Sequence, residues 1–334
     1  MTQLGKTAFA VELTPPDIGA YRAGNTGVPF ATTFDSGHSG PHAMICAIVH
    51  GNELCGAIAL DRLFQRDVRP RRGRLTLVFA NPDAYGCFDP ERPAASRFVD
   101  EDMNRVWSPD VLAGPRHSVE LERARALRPL VDTVDRLLDL HSMRSDCPPL
   151  LLTGPSPKGR TLAAALESSA LLVADGGHAA GTRLRDYGGF SAPGDRRNAV
   201  LAECGQHWRA ATAAVAVDIA YRFLVALGMV ASDDARPHLL PAAPPPDRWI
   251  EVTHAIDVTS GRSRFTADYQ GLEVIPAAGT VIAVDGKREI RTPYDDCVLV
   301  MPARRLTPGQ TAVRLGRYID LPAADDLMLA ADDD

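Results

Sequence analysis

Three side chains that follow short apolar runs have the chemistry of metal ligands. His50 and Glu53 stand three positions apart in the segment HGNE, directly after the apolar run AMICAIV, and His141 follows the run LLDL. Two histidines and one carboxylate leave a fourth coordination position open for water, which is the arrangement of catalytic rather than structural zinc. The sequence therefore predicts one zinc ion per chain, held by His50, Glu53 and His141 without a cysteine ligand.

A further carboxylate, Glu203, ends the run NAVLAE. Zinc makes water acidic enough for a nearby carboxylate to accept its proton and pass it to a leaving amine. We expect Glu203 to be this general base, although a strand-end carboxylate can also cap a loop, and His50 can equally belong to an ordinary polar turn. His207 and Gln206 are further candidates for the lining of the site, but a histidine beside Trp208 at a helix start is more often structural.

A His-x-x-Glu pair alone is a weak signal, because the chain contains a second copy at His117 and Glu120. That copy opens a predicted helix, where the helix dipole favours a glutamate. We therefore expect His117 and Glu120 to lie on the surface. Ser118 is the expected N-cap of this helix.

The polar segment SRFVDEDMNRVW contains Arg97, Asn104 and Arg105. Guanidinium groups bind carboxylates bidentately, so this segment suits a substrate carboxylate. An arginine near the metal can also polarise the scissile carbonyl. The alternative is a solvated loop in which the acids of DEDMNR pair with its own arginine.

The elements that must position these residues alternate between strands and helices from Ala43 to about Leu240. This alternation predicts an α/β fold with a mainly parallel mixed sheet flanked by helices. Ligand sites in such sheets lie beyond the carboxyl ends of the strands. His50, His141 and Glu203 each follow or end a predicted strand, so we expect them at one edge of the sheet. The predicted strands span residues 43–49, 74–80, 136–140, 149–154 and 198–203.

The pattern changes after a Pro-rich segment at residues 239–249, which we interpret as a linker. Short β-type runs separated by Gly, Pro and Asp turns follow it, and their rhythm is that of a half-barrel. We therefore predict a catalytic domain over residues 1–240 and a smaller β-rich domain over residues 241–334. The acidic end AADDLMLAADDD is expected to be frayed.

Composition excludes several classes of protein. The chain has 334 residues, 45% of them hydrophobic and 23% charged, and a net charge of -6, so nucleic acid is not an expected partner. No apolar stretch is long enough to span a bilayer, and the N-terminus lacks the pattern of a secretion signal. Six cysteines without a C-x-x-C pair indicate buried free thiols in a reducing cytoplasm. The sequence leaves open a homodimer.

The ordered motifs HGNE, NPDAY, R-x6-NR, DLHS and ECGQ resemble the succinylglutamate desuccinylase and aspartoacylase family, a branch of the zinc carboxypeptidase-like fold. The resemblance covers residues 43 to about 210, and the family also has a β-rich C-terminal module. The separation of 88 positions between Glu53 and His141 fits this branch, because the peptidase branch usually places its second histidine farther on.

The resemblance implies a role for each matching residue. It implies His50, Glu53 and His141 as zinc ligands. The site residues that it implies around the metal are Glu203 as general base, Arg97 as the arginine that polarises the carbonyl, and Asn104 with Arg105 as the substrate-binding pair.

The family also uses a tyrosine from the C-terminal module, for which Tyr294 is the candidate and Tyr269 the alternative. A further substrate arginine of aspartoacylases has no clean match here, and this departure argues against aspartate-type substrates. The arginines available for that role are Arg183, Arg185, Arg196 and Arg197.

The predicted function is zinc-dependent cleavage of the amide bond in an N-acyl amino acid or a similar small amide that carries a carboxylate. Two alternatives remain at this point. One is a metallocarboxypeptidase-like peptidase, against which the early second histidine argues. The other is a non-catalytic binding protein on the same scaffold, against which the intact set of ligands and base argues.

Overall fold

The computed structural model describes residues 9–178, 180–241 and 247–320. Part of the predicted linker, at residues 242–246, and the predicted frayed end fall outside them. Seven α-helices are formed by the described residues: α1 (Leu54–Gln65), α2 (Pro82–Gly86), α3 (Pro109–Ala113), α4 (Val119–Val131), α5 (Pro157–Ala164), α6 (Ala210–Ala226) and α7 (Ser232–Ala235).

Two sheets organise the described strands. The strands are β1 (Ala31–Asp35), β2 (His42–Ala47), β3 (Arg74–Phe79), β4 (Arg136–Met143), β5 (Leu150–Thr153), β6 (Leu171–Ala174), β7 (Asn198–Gln206), β8 (Arg248–Asp257), β9 (Ser263–Phe265), β10 (Glu273–Ile275), β11 (Val281–Asp285), β12 (Arg288–Arg291), β13 (Cys297–Val300) and β14 (Thr311–Asp320). The larger sheet has 11 strands in the order β1-β3-β2-β4-β7-β5-β6-β8-β14-β13-β10. The smaller sheet has the order β12-β11-β9.

The larger sheet has helices on both faces, as the apolar runs predict. Successive side chains of a strand point to opposite faces of the sheet. In β2, Ile45 packs in the apolar cluster that contains the buried faces of α1 and α6. Its neighbours Met44 and Cys46 pack on the other face, in the cluster that contains the buried residues of α4. A strand buried on both faces has to be apolar throughout, which explains the run AMICAIV.

The α/β prediction is confirmed, with a mainly parallel sheet and five strands close to their predicted bounds. The predicted N-cap is also confirmed, because Ser118 Oγ accepts a hydrogen bond of 3.0 Å from the backbone N–H of Leu121. Among strands β1 to β8, two pairs are antiparallel, namely β5 with β7 at the centre and β1 with β3 at the edge. The C-terminal strands β8, β14, β13 and β10 also pair antiparallel with one another. The sheet is therefore mixed.

The β-rich C-terminal part is not a separate sheet. Strand β8 pairs in parallel with β6, where Val173 lies opposite Ile250, and the ladder continues through β14, β13 and β10. Only β9, β11 and β12 form the separate three-stranded sheet of this part. The division into domains at residue 240 stays a prediction.

Among the described residues, no helix combines the length and the apolar character that crossing a membrane requires. All six cysteines are free, and five of them are buried, as the apolar runs around them predict.

Candidate active site

The loop after β2 positions His50 and Glu53 through a strained turn and a close backbone contact. Ile48 has a φ of 52°, which is unusual for a β-branched residue and is the kind of strain that gathers at functional sites. Gly51 packs so tightly that a Cβ there would lie 2.3 Å from the carbonyl carbon of Ala84. Its N–H donates to the carbonyl oxygen of Arg97 over 3.1 Å, which ties two polar loops together.

His50, Glu53 and His141 form one buried group whose ligand atoms all lie within 4.8 Å of one another. Glu53 lies between the two histidines: its Oε1 is 2.8 Å from Nδ1 of His50, and its Oε2 is 2.9 Å from Nδ1 of His141. His50 and Glu53 lie in the loop between β2 and α1, and His141 lies near the end of β4, which is parallel to β2, so all three meet at one edge of the sheet. Two Nδ1 atoms and a carboxylate directed at a common point are a donor set that fits a metal ion such as zinc.

The outer nitrogen of each histidine faces a second carboxylate. Nε2 of His50 lies 2.9 Å from Oδ1 of Asp102, and Nε2 of His141 lies 2.9 Å from Oδ2 of Asp139. Such carboxylates fix the ring orientation and tautomer of a ligating histidine. Burial opposes the ionisation of Asp102, but His50 and Arg97 outweigh that effect and hold the pKa of Asp102 well below its usual range.

Glu203 lies beside this group on the next strand. In the parallel pairing of β4 with β7, it stands directly opposite His141. Its side chain is half-buried, and its Oε2 atom is shielded from solvent without a hydrogen-bond partner among the described residues. Burial, followed by the neighbouring Glu53 carboxylate, raises the pKa of Glu203 to about 8. The free carboxylate oxygen is available to a ligand in the cleft.

Arg97 contacts the same group from the opposite loop. Its Nη2 lies 2.9 Å from Nε2 of His50 and 3.0 Å from Oδ2 of Asp102, and its Nη1 lies 3.5 Å from Oε1 of Glu53. The side chain is 28% exposed and lines the cleft. The guanidinium is therefore held at this buried group and is partly open to the cleft.

The surface prediction for the second His-x-x-Glu pair is right for His117 and wrong for Glu120. His117 is exposed, but Glu120 is fully buried at the start of α4. Its carboxylate accepts hydrogen bonds from the backbone N–H groups of Val99, Asp100 and Glu101, at 2.7, 3.0 and 3.1 Å. Glu120 thus anchors the loop that carries Arg97.

Of the predicted substrate-binding pair, Arg105 lines the cleft and Asn104 does not. The guanidinium of Arg105 makes one hydrogen bond, to the carbonyl oxygen of Asn104. Burial lowers the pKa of Arg105 to about 10. Asn104 is buried outside the cleft lining, where its Oδ1 accepts from the N–H of Leu184 over 2.8 Å. Its Nδ2 lies 3.5 Å from Nε2 of His141.

Tyr294 does not line the cleft that contains His50, Glu53 and Arg97. Its hydroxyl lies 2.6 Å from Oγ1 of Thr253, and it lines a different cavity together with Arg317. Tyr269 lies with Phe265 in the core of the β-rich part, also outside the cleft lining. The cleft receives its C-terminal wall from the loop between β13 and β14 instead, which includes Arg305.

None of the four arginines considered for a further substrate contact lines the cleft. Arg183 and Arg185 are buried and paired with Asp186 at 2.5 and 2.7 Å. Arg197 pairs with Asp195, and the carbonyl of Arg196 accepts from the side chain of Arg136. These arginines therefore support the loop before β7.

His207 lines the cleft, and its Nδ1 lies 2.8 Å from Oγ of Ser142. Burial lowers the pKa of His207 to about 3, so it is neutral near pH 7. Gln206 accepts from the N–H of Trp208, a structural contact outside the cleft lining. Sequence reasoning missed Asp102 and the basic residues that complete the cleft, Arg144 and Arg305.

The chain matches a family at the level of sequence. The sequence model of the succinylglutamate desuccinylase/aspartoacylase catalytic domain matches residues 39–212. An N-acyl-aromatic-L-amino acid amidohydrolase from Danio rerio is 31% identical over 30% of this chain, and a probable aspartoacylase from Parasynechococcus marenigrum is 35% identical over 36%. The chain spans only 33% and 40% of the length of these two relatives.

Solved structures share the fold over most of the chain. A succinylglutamate desuccinylase from Vibrio parahaemolyticus superposes with a TM-score of 0.60 at 19% identity, covering 85% of this chain and 83% of its own. Murine aminoacylase 3 superposes with a TM-score of 0.57 at 18% identity, covering 85% of this chain and 97% of its own. At these identities the likeness describes the fold alone.

Proposed function

We propose, from the premise that this chain belongs to the succinylglutamate desuccinylase/aspartoacylase family, that it is a zinc-dependent amidohydrolase. It cleaves the amide bond of an N-acyl amino acid or a similar small amide that carries a carboxylate. One observation carries the proposal: the buried group His50, Glu53 and His141 has the guanidinium of Arg97 and the carboxylate of Glu203 beside it in one cleft.

Zinc is the proposed metal because two histidine nitrogens and one carboxylate are the ligand set of zinc hydrolases, with one position left for water or substrate. His50, Glu53 and His141 would hold the zinc ion, whose Lewis acidity would make water a nucleophile near neutral pH. The carboxylates of Asp102 and Asp139 support this choice, since each faces the outer nitrogen of one histidine at 2.9 Å.

Three polar residues of the cleft each have a step in the proposed reaction. Arg97 donates to the carbonyl oxygen of the scissile amide and stabilises the negative charge that develops there. In its ionised form, which a bound cation would favour by opposing the effect of Glu53, Glu203 accepts the proton of the attacking water and transfers it to the nitrogen of the departing amine. Arg105 pairs with a carboxylate of the substrate and holds the amide in place, because its guanidinium has no carboxylate partner among the described residues.

The contacts give Asn104 a supporting role and give Tyr294 none. Asn104 holds the backbone of Leu184 and faces His141, so its proposed contribution is to position the ligand rather than to bind substrate. Tyr294 has no proposed role in this reaction, because it lies in a different cavity.

A metallocarboxypeptidase-like peptidase and a non-catalytic binding protein are the competing functions. The early position of His141, 88 residues after Glu53, argues against the first. The simultaneous presence of ligand set, base and arginine argues against the second. The proposed location is the cytoplasm, which suits six free cysteines, and the proposed partner is a small molecule rather than nucleic acid or membrane.

The test is the release of free amine from a panel of N-acyl amino acids, with and without zinc. We expect zinc-dependent hydrolysis of at least one member and no hydrolysis by the Glu203→Gln variant. Cleavage of a C-terminal peptide bond in preference to every N-acyl amino acid would establish the peptidase instead. Zinc binding without any hydrolysis would favour the binding protein.

A further inference from the structure

A second cavity lies on the β-rich part of the chain, and the proposed reaction does not use it. Its volume is about 620 Å³, within the range of about 300–1,000 Å³ that small-molecule sites occupy. Side chains of both charges face it, together with two aromatic rings. The charged and aromatic residues that line it are Arg248, Tyr294, Asp295, Asp296, Arg317 and Tyr318.

This cavity is separate from the metal cleft, although strand β13 runs from one to the other. Asp296 directly precedes β13 and lines the cavity, whereas Met301 directly follows β13 and lines the cleft. A strand rises about 3.3 Å per residue, so about 15 Å separates these two positions. Among the described residues, none lines both. A small molecule in the cavity therefore leaves the cleft free for substrate.

Each arginine of the cavity lies over a tyrosine ring. The guanidinium carbon of Arg317 is 4.2 Å from the ring centre of Tyr294. That of Arg248 is 3.8 Å from the ring centre of Tyr318. The hydroxyl of Tyr294 lies 2.6 Å from Oγ1 of Thr253, which holds this ring in place. A guanidinium that stacks on a ring keeps the N–H donors of its edge directed outwards, where they fit a carboxylate.

The carboxylates nearest in the sheet do not neutralise these two guanidinium groups. In the pairing of β8 with β14, Arg317 stands opposite Glu251, and Arg248 stands opposite Asp320. Neither arginine forms an ion pair with those acids, or with any other carboxylate in residues 9–178, 180–241 and 247–320. Both positive charges are therefore available to an anion in the cavity.

Two carboxylates face the same cavity from the turn before β13. Oδ1 of Asp295 accepts a hydrogen bond of 2.7 Å from the N–H of Ala278, which fixes this side chain at the cavity. The N–H of Asp296 donates to the carbonyl oxygen of Pro276 over 3.0 Å, which fixes the backbone of the turn. These acids and the two arginines share one cavity without pairing with each other, so a gap separates the two signs of charge. A ligand with an anion at one end and a cation at the other fits that gap.

We propose that this cavity binds a free α-amino acid, with Arg248 and Arg317 at its carboxylate and Asp295 and Asp296 at its ammonium group. A simple anion or a simple cation fits less well, because one of the two charged pairs repels it. The proposed reaction releases a free amino acid as its amine product, and the cavity offers that product a place apart from the cleft. The inference rests on the proposed function only for this origin of the ligand.

The first experiment titrates the common α-amino acids calorimetrically into the zinc-loaded wild-type protein. The tightest ligand is then compared with its amide, which lacks the carboxylate, and with its 2-hydroxy acid, which lacks the ammonium group. A hydrogen bond to a charged group is worth about 10- to 100-fold in binding, so both analogues should bind more weakly by about that factor. Saturable binding of no amino acid would overturn the proposal, and so would a 2-hydroxy acid that binds as tightly as the amino acid.

Variants of the cavity locate the ligand. Arg248→Gln, Arg317→Gln and Asp296→Asn should each weaken binding by about 10-fold or more. Both arginines are exposed, so their variants should fold with an unchanged Tm. Arg291→Gln is the matched control, since Arg291 is an exposed arginine of the same part that pairs with Glu289, and it should keep the wild-type affinity. An equal loss in the control would reduce the effect to a general field and contradict the site.

Arg105→Ala distinguishes the cavity from the cleft, because Arg105 lines only the cleft. We expect it to leave the affinity for the amino acid unchanged. Loss of binding in this variant, with full binding in the cavity variants, would place the ligand in the cleft and overturn the proposal. If the wild type hydrolyses no N-acyl amino acid but binds the free amino acid through Arg248 and Arg317, the cavity stands and the proposed reaction fails. Hydrolysis without any binding of a free amino acid leads to the opposite conclusion.

Discussion

Glu203 stands directly opposite His141 in the register of two neighbouring parallel strands. This relationship fixes a carboxylate beside the buried group His50, Glu53 and His141, and its Oε2 is shielded and has no hydrogen-bond partner among the described residues. We expect the Glu203→Gln protein to fold and to retain one zinc ion per chain but to lose hydrolysis by about 10²- to 10⁴-fold, because glutamine cannot accept the proton of water. Metal analysis and kcat on the same sample test this. Loss of zinc together with activity would make Glu203 a ligand, and near-normal turnover would remove it from the mechanism.

The metal prediction concerns the two histidines. His50→Ala and His141→Ala should each abolish stoichiometric zinc, because each removes one of three protein ligands from a buried group. His117→Ala is the control, since this histidine is exposed and belongs to the second His-x-x-Glu pair. Zinc content is measured by elemental analysis after dialysis. Full retention of zinc in both ligand variants would refute the assignment.

Arg105 is predicted to recognise charge rather than shape. Arg105→Ala should lower kcat/KM for a carboxylate-bearing substrate by about 10- to 100-fold, and much less for the analogue in which that carboxylate is an amide. Arg116→Ala is a suitable control, because Arg116 is an exposed arginine paired with Glu101. Equal losses on both substrates would make Arg105 a structural residue.

Glu120 is predicted to act through the loop it anchors. Glu120→Gln replaces one of two oxygens that accept three backbone N–H groups, so a buried donor loses its partner at a cost of about 1–3 kcal/mol in unfolding free energy. We expect kcat to fall with zinc content unchanged, because Arg97 is then less well positioned. Glu122→Gln changes an exposed glutamate in the same first turn of α4, so it should alter neither the unfolding free energy nor kcat. Unchanged kcat in a destabilised Glu120→Gln protein would confine Glu120 to a structural role.

Gly51 is predicted to be required by the close approach of two backbones. Gly51→Ala places a Cβ 2.3 Å from the carbonyl carbon of Ala84, so it should reduce the unfolding free energy by about 1–3 kcal/mol and weaken zinc binding. Gly86→Ala is the matched control nearby, since a Cβ there meets nothing within 4 Å. Chemical denaturation measures both variants. Equal stability of the two variants would show that the loop after β2 adjusts freely.

The strands, and the grouping of His50 with His141, could be predicted from the sequence because both are local signals. A fully buried strand has to be apolar throughout, and His50 and His141 come immediately after such runs. The direction of a short strand is not local: β5 has the apolar run of a parallel strand but pairs antiparallel with β7. The direction of β5 depends on the strands beside it in the sheet, β6 and β7, and the residues of β5 alone do not specify them.

The residues that were assigned wrongly or missed depend on contacts between distant segments. Glu120 resembles an exposed glutamate at a helix start, and only the loop folded over it makes it buried. Asp102 is one of several acids in a charged segment, and charge alone does not indicate which of them turns towards His50. Tyr294 and Arg305 lie in the same β-rich part, but only the loop geometry shows that Arg305 reaches the cleft.

The larger sheet is continuous, so it holds the two walls of the cleft at a fixed separation. The strands that carry the metal ligands and the strands that carry the Arg305 loop belong to one hydrogen-bonded ladder, joined where β6 pairs with β8. A hinge opening at that junction would break main-chain hydrogen bonds at the centre of the sheet, so the two walls keep their separation while ligands come and go. A molecule that has to contact both walls is then selected by its length.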